Sequence, residues 1–311
     1  MPLWNSKKFQ SKLKTSAASS RRLGSALTSH RELEAHSTLQ RLMVVLRPLL
    51  IPMACMLALL WVSRFAMSFW QASRISEADA WRHLLLEGLR FDLVLVGMVW
   101  VFPATATPWM ALYRGSRVWW SAFLRYYGGV AVLLVAFMEL ATPAFIGQYD
   151  SRPNYLFVEY LAYGKEVGGT LLKDYWPHLL FTAVLLPLLA LVYWRMSKPI
   201  RASAQLRLWQ APLLSVLLFA VLAVSARGAL GHRAANPASA AVTTDHLVNE
   251  LPLSSLYTVS YAIYQSRKAE EGGITYAEIP ESKVIEIVRR ETGLPSTAFR
   301  DPSVPLRHQI A

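Results

Sequence analysis

Five charged residues stand within or beside apolar stretches of the sequence, where a charge is costly. A carboxylate in the core of a bilayer costs about 2.5 to 3.5 kcal/mol on insertion scales unless it is paired or neutral. A planar guanidinium can bind either a carboxylate or a phosphate through two parallel hydrogen bonds. We therefore predict a polar cluster whose arginines bind phosphate, made of Arg64, Arg90, Asp92, Glu139 and Arg152.

The partners within this cluster are open at the level of sequence. Glu139 should pair with Arg64 or Arg90. Arg64 lies about two helical turns from the end of its apolar stretch, so its side chain could instead extend to lipid headgroups. Arg90 and Asp92 are two residues apart and do not face one another on a helix, whereas Glu87 lies one turn before Arg90 and could pair with it. In that case the residues from Gly88 to Leu93 only cap the second span at the membrane interface.

Signatures of soluble enzymes are absent from the sequence. The seven histidines include no pair at the i, i+3 or i, i+4 spacing of a helical metal site, and there is no Walker loop, Gly-x-Ser-x-Gly elbow or Rossmann fingerprint. Asp245, His246 and Glu250 could form an acid and base set, but they stand at the expected start of a helix. The lone Cys55 excludes both a disulfide within the chain and a thiolate metal site. We predict no catalytic residue, cofactor or metal ligand in this chain.

The composition is that of an integral membrane protein. Hydrophobic residues make up 54% of the chain and lie in blocks, with 11 Trp and 13 Tyr among 311 residues. The formal net charge is +12, but the basic residues are neither gathered on one soluble helix nor interleaved with stacking aromatic residues. Nucleic acid is therefore excluded as a partner.

Five apolar stretches are long enough to cross a bilayer as helices, which predicts an all-α membrane protein. The spans run over about 49–70, 89–110, 126–145, 177–194 and 208–226, within a transmembrane domain at 48–226. Pro103 should kink the second span.

Basic residues set the predicted orientation of these spans. The tail at 1–47 and the loops at 111–125 and 195–207 are rich in Lys and Arg and poor in acids, whereas the alternate loops are balanced. The positive-inside rule therefore places the N-terminus inside and the C-terminus outside. The balanced loop after the third span should carry an interfacial helix from Pro153 to Tyr163.

The extracytoplasmic part should begin with a juxtamembrane segment at 227–267. Asn236 before Pro237, and Thr244 with Asp245, are typical of helix N-termini. Apolar and aromatic residues then recur at spacings of three and four, either packing on the bundle and outer headgroups or docking a further domain; they are Leu253, Leu256, Tyr257, Tyr261 and Tyr264.

Residues 268–311 should form a helix and a linker. Gly272 and Gly273 predict a break, after which an amphipathic helix runs from about Pro280 to Thr292. The last residues contain three prolines and should be extended.

The segment from Arg227 to Tyr264 resembles a known bacterial family. It contains, in order, Gly-His-Arg, Asn-Pro, Thr-Asp-His-Leu-Val-Asn-Glu-Leu and Ser-Leu-Tyr-Thr-Val-Ser-Tyr-Ala. This order is similar to the segment that follows the membrane helices of lipoteichoic-acid-synthase-like proteins, which are phosphoglycerol transferases of the sulfatase and alkaline-phosphatase superfamily. The strings from Gly88 to Leu93 and from Asp150 to Tyr155 are similar to the same family.

The resemblance implies about five membrane helices, this segment, and then a large extracytoplasmic domain with a threonine nucleophile and a divalent metal such as manganese. Since this chain ends at Ala311, we expect the catalytic domain to lie outside it, supplied in cis or in trans. The chain would then be the membrane half of a bacterial inner-membrane transferase. Its cluster would hold a phosphatidylglycerol-like donor lipid.

Two other functions remain open from the sequence. The chain could be a non-catalytic scaffold or partner subunit whose aromatic helix docks a separately encoded domain. It could also be a transporter or flippase that uses the intramembrane charges as a pathway, although the five spans show no inverted repeat.

Overall fold

The computed structural model of the chain describes residues 40–198, 206–271, 279–294, 296–299 and 307, and every regular element in these residues is helical. The α-helices are α1 (Gln40–Trp70), α2 (Ala72–Glu77), α3 (Trp81–Met110), α4 (Arg114–Tyr149), α5 (Tyr155–Ala162), α6 (Gly164–Asp174), α7 (Trp176–Met196), α8 (Gln210–Arg227), α9 (His246–Glu250), α10 (Ser255–Glu271) and α11 (Glu281–Glu291). Short 3-10 helices cover Pro237–Ala240 and Ser296–Ala298.

Within the described residues, four helices are long and apolar enough to cross a membrane. They are α1, α4, α7 and α8, which agree with the first, third, fourth and fifth predicted spans. The chain therefore has the character of a multi-pass membrane protein. The predicted second span lies in α3, a 30-residue helix whose middle is buried among the others. A fifth span and the orientation of the termini remain predictions.

Several helices continue beyond the predicted apolar spans. Residues 40–47, assigned to the basic tail, already belong to α1. The loop predicted at 111–125 reduces to a turn at 111–113, since α4 begins at Arg114. Arginine and tryptophan are compatible with a helix, so a basic interfacial stretch need not be a loop. The loop after the first span contains α2, and the interfacial helix predicted from Pro153 is α5 followed by α6.

The helices alternate in direction around α3. Trp100 of α3 donates to the sulfur of Met56 in α1 at 3.1 Å. On the other side, α8 comes so close to α3 that a Cβ at Gly97 would lie 2.5 Å from the backbone nitrogen of Ala226. Ser215 of α8 donates to the carbonyl of Thr105 at 2.6 Å. The absence of a side chain at Gly97 therefore lets α3 and α8 pack backbone to backbone.

The prolines of α3 do not end the helix, which continues through Pro103 to Met110. A proline cannot donate to the carbonyl four residues before it, so Pro103 frees the carbonyl of Val99. The hydroxyl of Tyr127 in α4 donates to that carbonyl at 2.6 Å. The lost helical bond is thus replaced by a bond between helices.

The chain divides into two compact units, Met1–Ile263 and Tyr264–Ala311. In the second, α11 confirms the amphipathic helix predicted at 280–292, with Glu281 in its first turn and two arginines in its last. The guanidinium carbon of Arg289 lies 4.9 Å from the ring centre of Phe299. The predicted tail at residues 1–39, the break at Gly272 and Gly273, and most of the terminal linker lie outside the described residues.

Candidate functional site

Four of the five predicted cluster residues lie together in pairs, which we call the charged layer: Arg64, Asp92, Glu139 and Arg152. The first pair joins α1 to α3. Arg64 holds both carboxylate oxygens of Asp92, with Nη2 donating at 2.6 Å, and both side chains are at most 2% exposed. Nη2 of Arg64 also donates to the carbonyl of Pro252 at 3.0 Å. This arginine therefore ties the segment after α8 to two helices of the bundle.

Gly88 makes room for this pair. It lies four residues before Asp92 on α3, so the two positions share one helix face. A Cβ at Gly88 would come within 2.5 Å of Nε and 2.7 Å of Cδ of Arg64. The arginine thus crosses α3 over a position without a side chain and reaches the carboxylate one turn further.

The second pair is Glu139 with Arg152, whose Nη1 donates to Oε2 of Glu139 at 3.2 Å. The hydroxyl of Ser63 in α1 donates to the same oxygen, and the backbone N–H of Ser255 donates to Oε1 at 2.9 Å. Arg152 also donates to the Ser255 hydroxyl at 3.1 Å and to the Leu251 carbonyl at 3.3 Å. The expectation that Glu139 pairs with Arg64 or Arg90 was wrong, because the chain turns back after α4 and brings Arg152 beside it.

Arg90 does not join the charged layer. Its Nη1 donates to Glu87 at 2.8 Å, which confirms the alternative pairing, and its Nε donates to the carbonyl of Gly228. Gly228 ends α8 in the left-handed region, with φ of 65°. Arg90 therefore contacts the C-terminal end of α8, and it lies on a different face of α3 from Asp92.

A third group of charges lies at the same end of the bundle but is more exposed. Arg74 of α2 donates through Nε and Nη2 to the carboxylate of Asp245, both at 2.7 Å, and through its terminal nitrogens to Asp150. The hydrogen bonds from Arg74 lower the pKa of both aspartates and raise the pKa of the guanidinium, although partial burial opposes each shift. Arg74 thus joins the end of α4 to the start of α9.

The acid and base set imagined at 245–250 is structural. Asp245 caps α9 by accepting from the N–H of Val248 at 3.1 Å, as predicted, and Asn236 caps the first 3-10 helix. Glu250 accepts from the backbone N–H of Arg152 at 2.6 Å and from the hydroxyl of Ser151 at 3.0 Å. His246 is exposed at the surface. Asp245 and Glu250 thus accept hydrogen bonds from within the chain, and His246 lies 3.4 Å from Glu250.

The aromatic stripe proposed for docking is largely buried within the first unit. Leu253 and Tyr257 are 1% and 4% exposed, and Leu256 packs against the core. The ring of Tyr257 lies 5.2 Å from that of Phe91, and burial raises the pKa of its hydroxyl to about 12. The interpretation as a helix packed on the bundle is confirmed for Leu256 and Tyr257, whereas Leu253 is buried just before α10 begins at Ser255. Tyr261 is partly buried, and Tyr264 begins the second unit.

The charged layer is electrically balanced, with two arginines and two carboxylates. Only the Nε atoms of Arg64 and Arg152 lack hydrogen-bond partners among its buried side-chain nitrogens and oxygens. A phosphate would have to displace a carboxylate from a buried pair, which costs more than binding at an exposed arginine. Lipid-phosphate binding by these residues therefore stays a prediction. In the structure, the charged layer joins the segment after α8 to the helix bundle through hydrogen bonds.

A different feature has the form of a ligand site. A cavity of about 470 Å³ lies between α4 and α7, with α5 and α6 at one end. Sequence analysis missed it because the residues that line it are ordinary apolar and aromatic side chains of separate helices. One wall is formed by Phe137, Leu140 and Ala141 of α4.

Polar groups line the other end of this cavity. The hydroxyls of Tyr149 and Tyr160 share a hydrogen bond of 2.5 Å, Tyr175 donates to Gln148 at 3.0 Å, and His178 lies beside them. From residue 137 to residue 148 a helix rises about 16 Å. The cavity is therefore apolar near Phe137 and Ala141 and polar near Gln148, at the C-terminal end of α4.

The described residues contain no group of three or more His, Cys, Asp or Glu side chains that could hold a metal ion. No family model matches the sequence, and no solved structure gives a significant match.

Proposed function

We propose that this chain is the membrane half of a phosphoglycerol transferase and that it holds a lipid in the cavity between α4 and α7. The observation that carries the proposal is the shape and polarity of that cavity. Its volume of about 470 Å³ lies in the usual range of small-molecule sites. An acyl chain would lie against Phe137 and Ala141, and a headgroup would lie beside Gln148, Tyr175 and His178.

The topology belongs to the same proposal. In it, α3 is a fifth membrane helix, the N-terminus is cytoplasmic, and the charged layer lies at the outer face of a bacterial inner membrane. The basic residues at the opposite ends of the helices support this orientation. The polar end of the cavity then opens at the outer leaflet, where a phosphatidylglycerol-like donor would be held for an extracytoplasmic sulfatase-like domain with its metal.

The charged layer supports an anchoring role. It fixes residues 251–255 to the bundle through buried hydrogen bonds, and in this proposal that segment leads toward the catalytic domain. This part of the proposal also rests on the resemblance of residues 227–264 to the synthase-like family.

A cavity-filling variant tests lipid binding. Ala141→Trp places an indole in the cavity, whereas Val130→Trp adds the same side chain to α4 at a position that is 68% exposed. We expect the purified Ala141→Trp protein to retain several-fold less phosphatidylglycerol than Val130→Trp when extracted lipids are quantified by mass spectrometry. Equal retention by the two variants would exclude the cavity as the lipid site.

The link to a transferase needs a separate measurement. An N-terminal tag detected on a denaturing gel of the native cells reports the size of the natural product. A band well above the 35.0 kDa of this chain supports a catalytic domain in cis. Co-purification of a metal-dependent hydrolase supports one in trans.

A non-catalytic scaffold is the second candidate, and the internal pairing of the charged layer favours it. Since Arg64 and Arg152 are neutralised by carboxylates of the chain itself, the layer needs no ligand to be stable. In a scaffold, the cavity would be filled by membrane lipid without preference. Equal retention of phosphatidylglycerol and phosphatidylethanolamine would support this second function.

A further inference from the structure

The opposite end of the bundle carries a second, smaller cleft between α1, α4 and α7. Its polar lining consists of Arg47, Ser121, Arg125, Ser197 and Lys198, and none of the residues that line it is acidic. Three cations therefore face a common space with no carboxylate in its walls. This end is remote from the charged layer, which lies near the last turns of α1 and α4.

Arg125 has a structural role that explains part of this arrangement. Its Nη2 donates to the carbonyl of Trp194 at 2.7 Å, and its guanidinium carbon lies 3.4 Å from the ring centre of Trp194. That carbonyl is one of the last four of α7, which carry a partial negative charge and lack helical partners. Arg125 thus caps α7, and its bond offsets the charge that would repel an anion there.

One polar atom in the cleft has no such explanation. Nε of Arg125 is buried without a hydrogen-bond partner. A buried donor without an acceptor costs about 1 to 3 kcal/mol, so this atom points to a bound acceptor. The hydroxyl of Ser197, which is 9% exposed, lines the same cleft and lies beside the hydroxyl of Tyr193. The hydroxyl of Ser121 needs no further acceptor, because it donates to the carbonyl of Val118 at 2.9 Å.

The cleft is matched in size to one oxygen atom. Its volume of about 10 Å³ is close to the smallest space that accommodates a water-sized sphere. A tetrahedral anion would place one oxygen inside, against Ser197 and Arg125. Its other oxygens would lie at the mouth, within reach of the exposed side chains of Arg47 and Lys198.

From this geometry we infer that Arg47, Arg125, Ser197 and Lys198 form a phosphate-binding site at the basic end of α1, α4 and α7. The site lies at the ends of apolar helices, beside the aromatic pair of Tyr126 and Trp194, whose rings are 5.3 Å apart. Aromatic residues of this kind mark the membrane interface. The phosphate is thus expected on a lipid headgroup, and free phosphate is the other source with the same chemistry.

The test uses native mass spectrometry of the full chain in detergent, titrated with phosphatidylglycerol or with diacylglycerol of the same acyl chains. The test variant is Arg47→Gln/Lys198→Gln. Its matched control is Arg114→Gln/Arg195→Gln, which removes two exposed charges from the same end but no residue of the cleft. Native mass spectrometry resolves bound lipids one by one, and the larger cavity is intact in both variants. We therefore expect one phosphatidylglycerol per chain to bind about tenfold more weakly in the test variant than in the control, while any lipid in the larger cavity is retained by both. Diacylglycerol binding should be the same in both.

Two further measurements complete the test. Ser197→Ala should weaken phosphatidylglycerol binding several-fold, because it removes a hydroxyl that lines the cleft without removing charge. Competition by inorganic phosphate at concentrations similar to that of the lipid would assign the site to free phosphate, and its absence would assign the site to a headgroup. Equal loss of phosphatidylglycerol affinity in the two double variants would overturn the inference. Both variants leave the larger cavity unchanged, so this outcome does not bear on the proposed lipid site there.

Discussion

The substitution Gly88→Ala places one methyl group against the buried ion pair of Arg64 and Asp92. The new Cβ would lie 2.5 Å from Nε and 2.7 Å from Cζ of Arg64. A flexible side chain could move away from such a contact, but this guanidinium is held by both oxygens of Asp92 and by the carbonyl of Pro252. The methyl group therefore fits only if the pair is displaced.

The expected loss follows from two opposing effects. Breaking a buried ion pair costs about 3 to 5 kcal/mol. Alanine is better than glycine in a helix by about 1 kcal/mol. We therefore expect Gly88→Ala to lower the free energy of unfolding by roughly 2 to 4 kcal/mol, measured by reversible unfolding in mixed micelles. Gly169→Ala is the control, since nothing lies within 4 Å of its new Cβ, and it should be neutral or slightly stabilising.

A double-variant background separates the clash from other effects. In Arg64→Ala/Asp92→Ala the long side chain is gone, so adding Gly88→Ala should cost no more than Gly169→Ala does. If Gly88→Ala remains as destabilising in that background as in the original chain, the contact with Arg64 is not the reason for the glycine.

Two further substitutions test single contacts. Arg74→Met should remove the stabilisation that Arg74 gives to Asp150 and Asp245; because their folded pKa values are lowered, this stabilisation is complete above about pH 4 and is lost as the pH falls below it. Thermal unfolding midpoints of wild type and variant should therefore differ at pH 7 and converge at low pH, and a constant difference would contradict this. Tyr127→Phe should lower the free energy of unfolding in micelles by about 1 kcal/mol, because it removes the donor to the carbonyl of Val99. An unchanged value would mean that another group satisfies this carbonyl.

The sequence predicted the apolar helices well, because a helix that spans a membrane needs about 20 mainly apolar residues, and such stretches are visible in the sequence. It also predicted that intramembrane charges need partners. It did not predict which partners, since Glu139 and Arg152 meet through a turn after α4 and Ser255 reaches them from more than 100 residues away. For the pair of Arg64 and Asp92, the sequence does carry a signal: Gly88 lies one turn before Asp92 and leaves room for a long side chain to cross α3.

The larger cavity could not be predicted from the sequence for a different reason. Its volume depends on how far α7 diverges from α4. The two helices touch at the basic end, where a Cβ at Gly128 would lie 2.6 Å from the hydroxyl of Tyr193. Toward the other end they are separated by aromatic side chains such as Phe137 and Phe145. A gap between helices is a property of their relative placement, to which no single residue type points.

The contacts that fasten the segment after α8 are mostly made by its backbone. Arg64 and Arg152 bind the carbonyls of Pro252 and Leu251, and Glu139 binds the N–H of Ser255. Backbone carbonyls and N–H groups are the same for almost every residue type. These contacts therefore fix which positions of the segment meet the charges, but not which side chains the segment carries. A shift by one residue would move all three partners at once and leave buried charges unpaired, which is far more costly than losing one contact. The buried charges of α1 and α4 thus determine where this segment lies on the bundle.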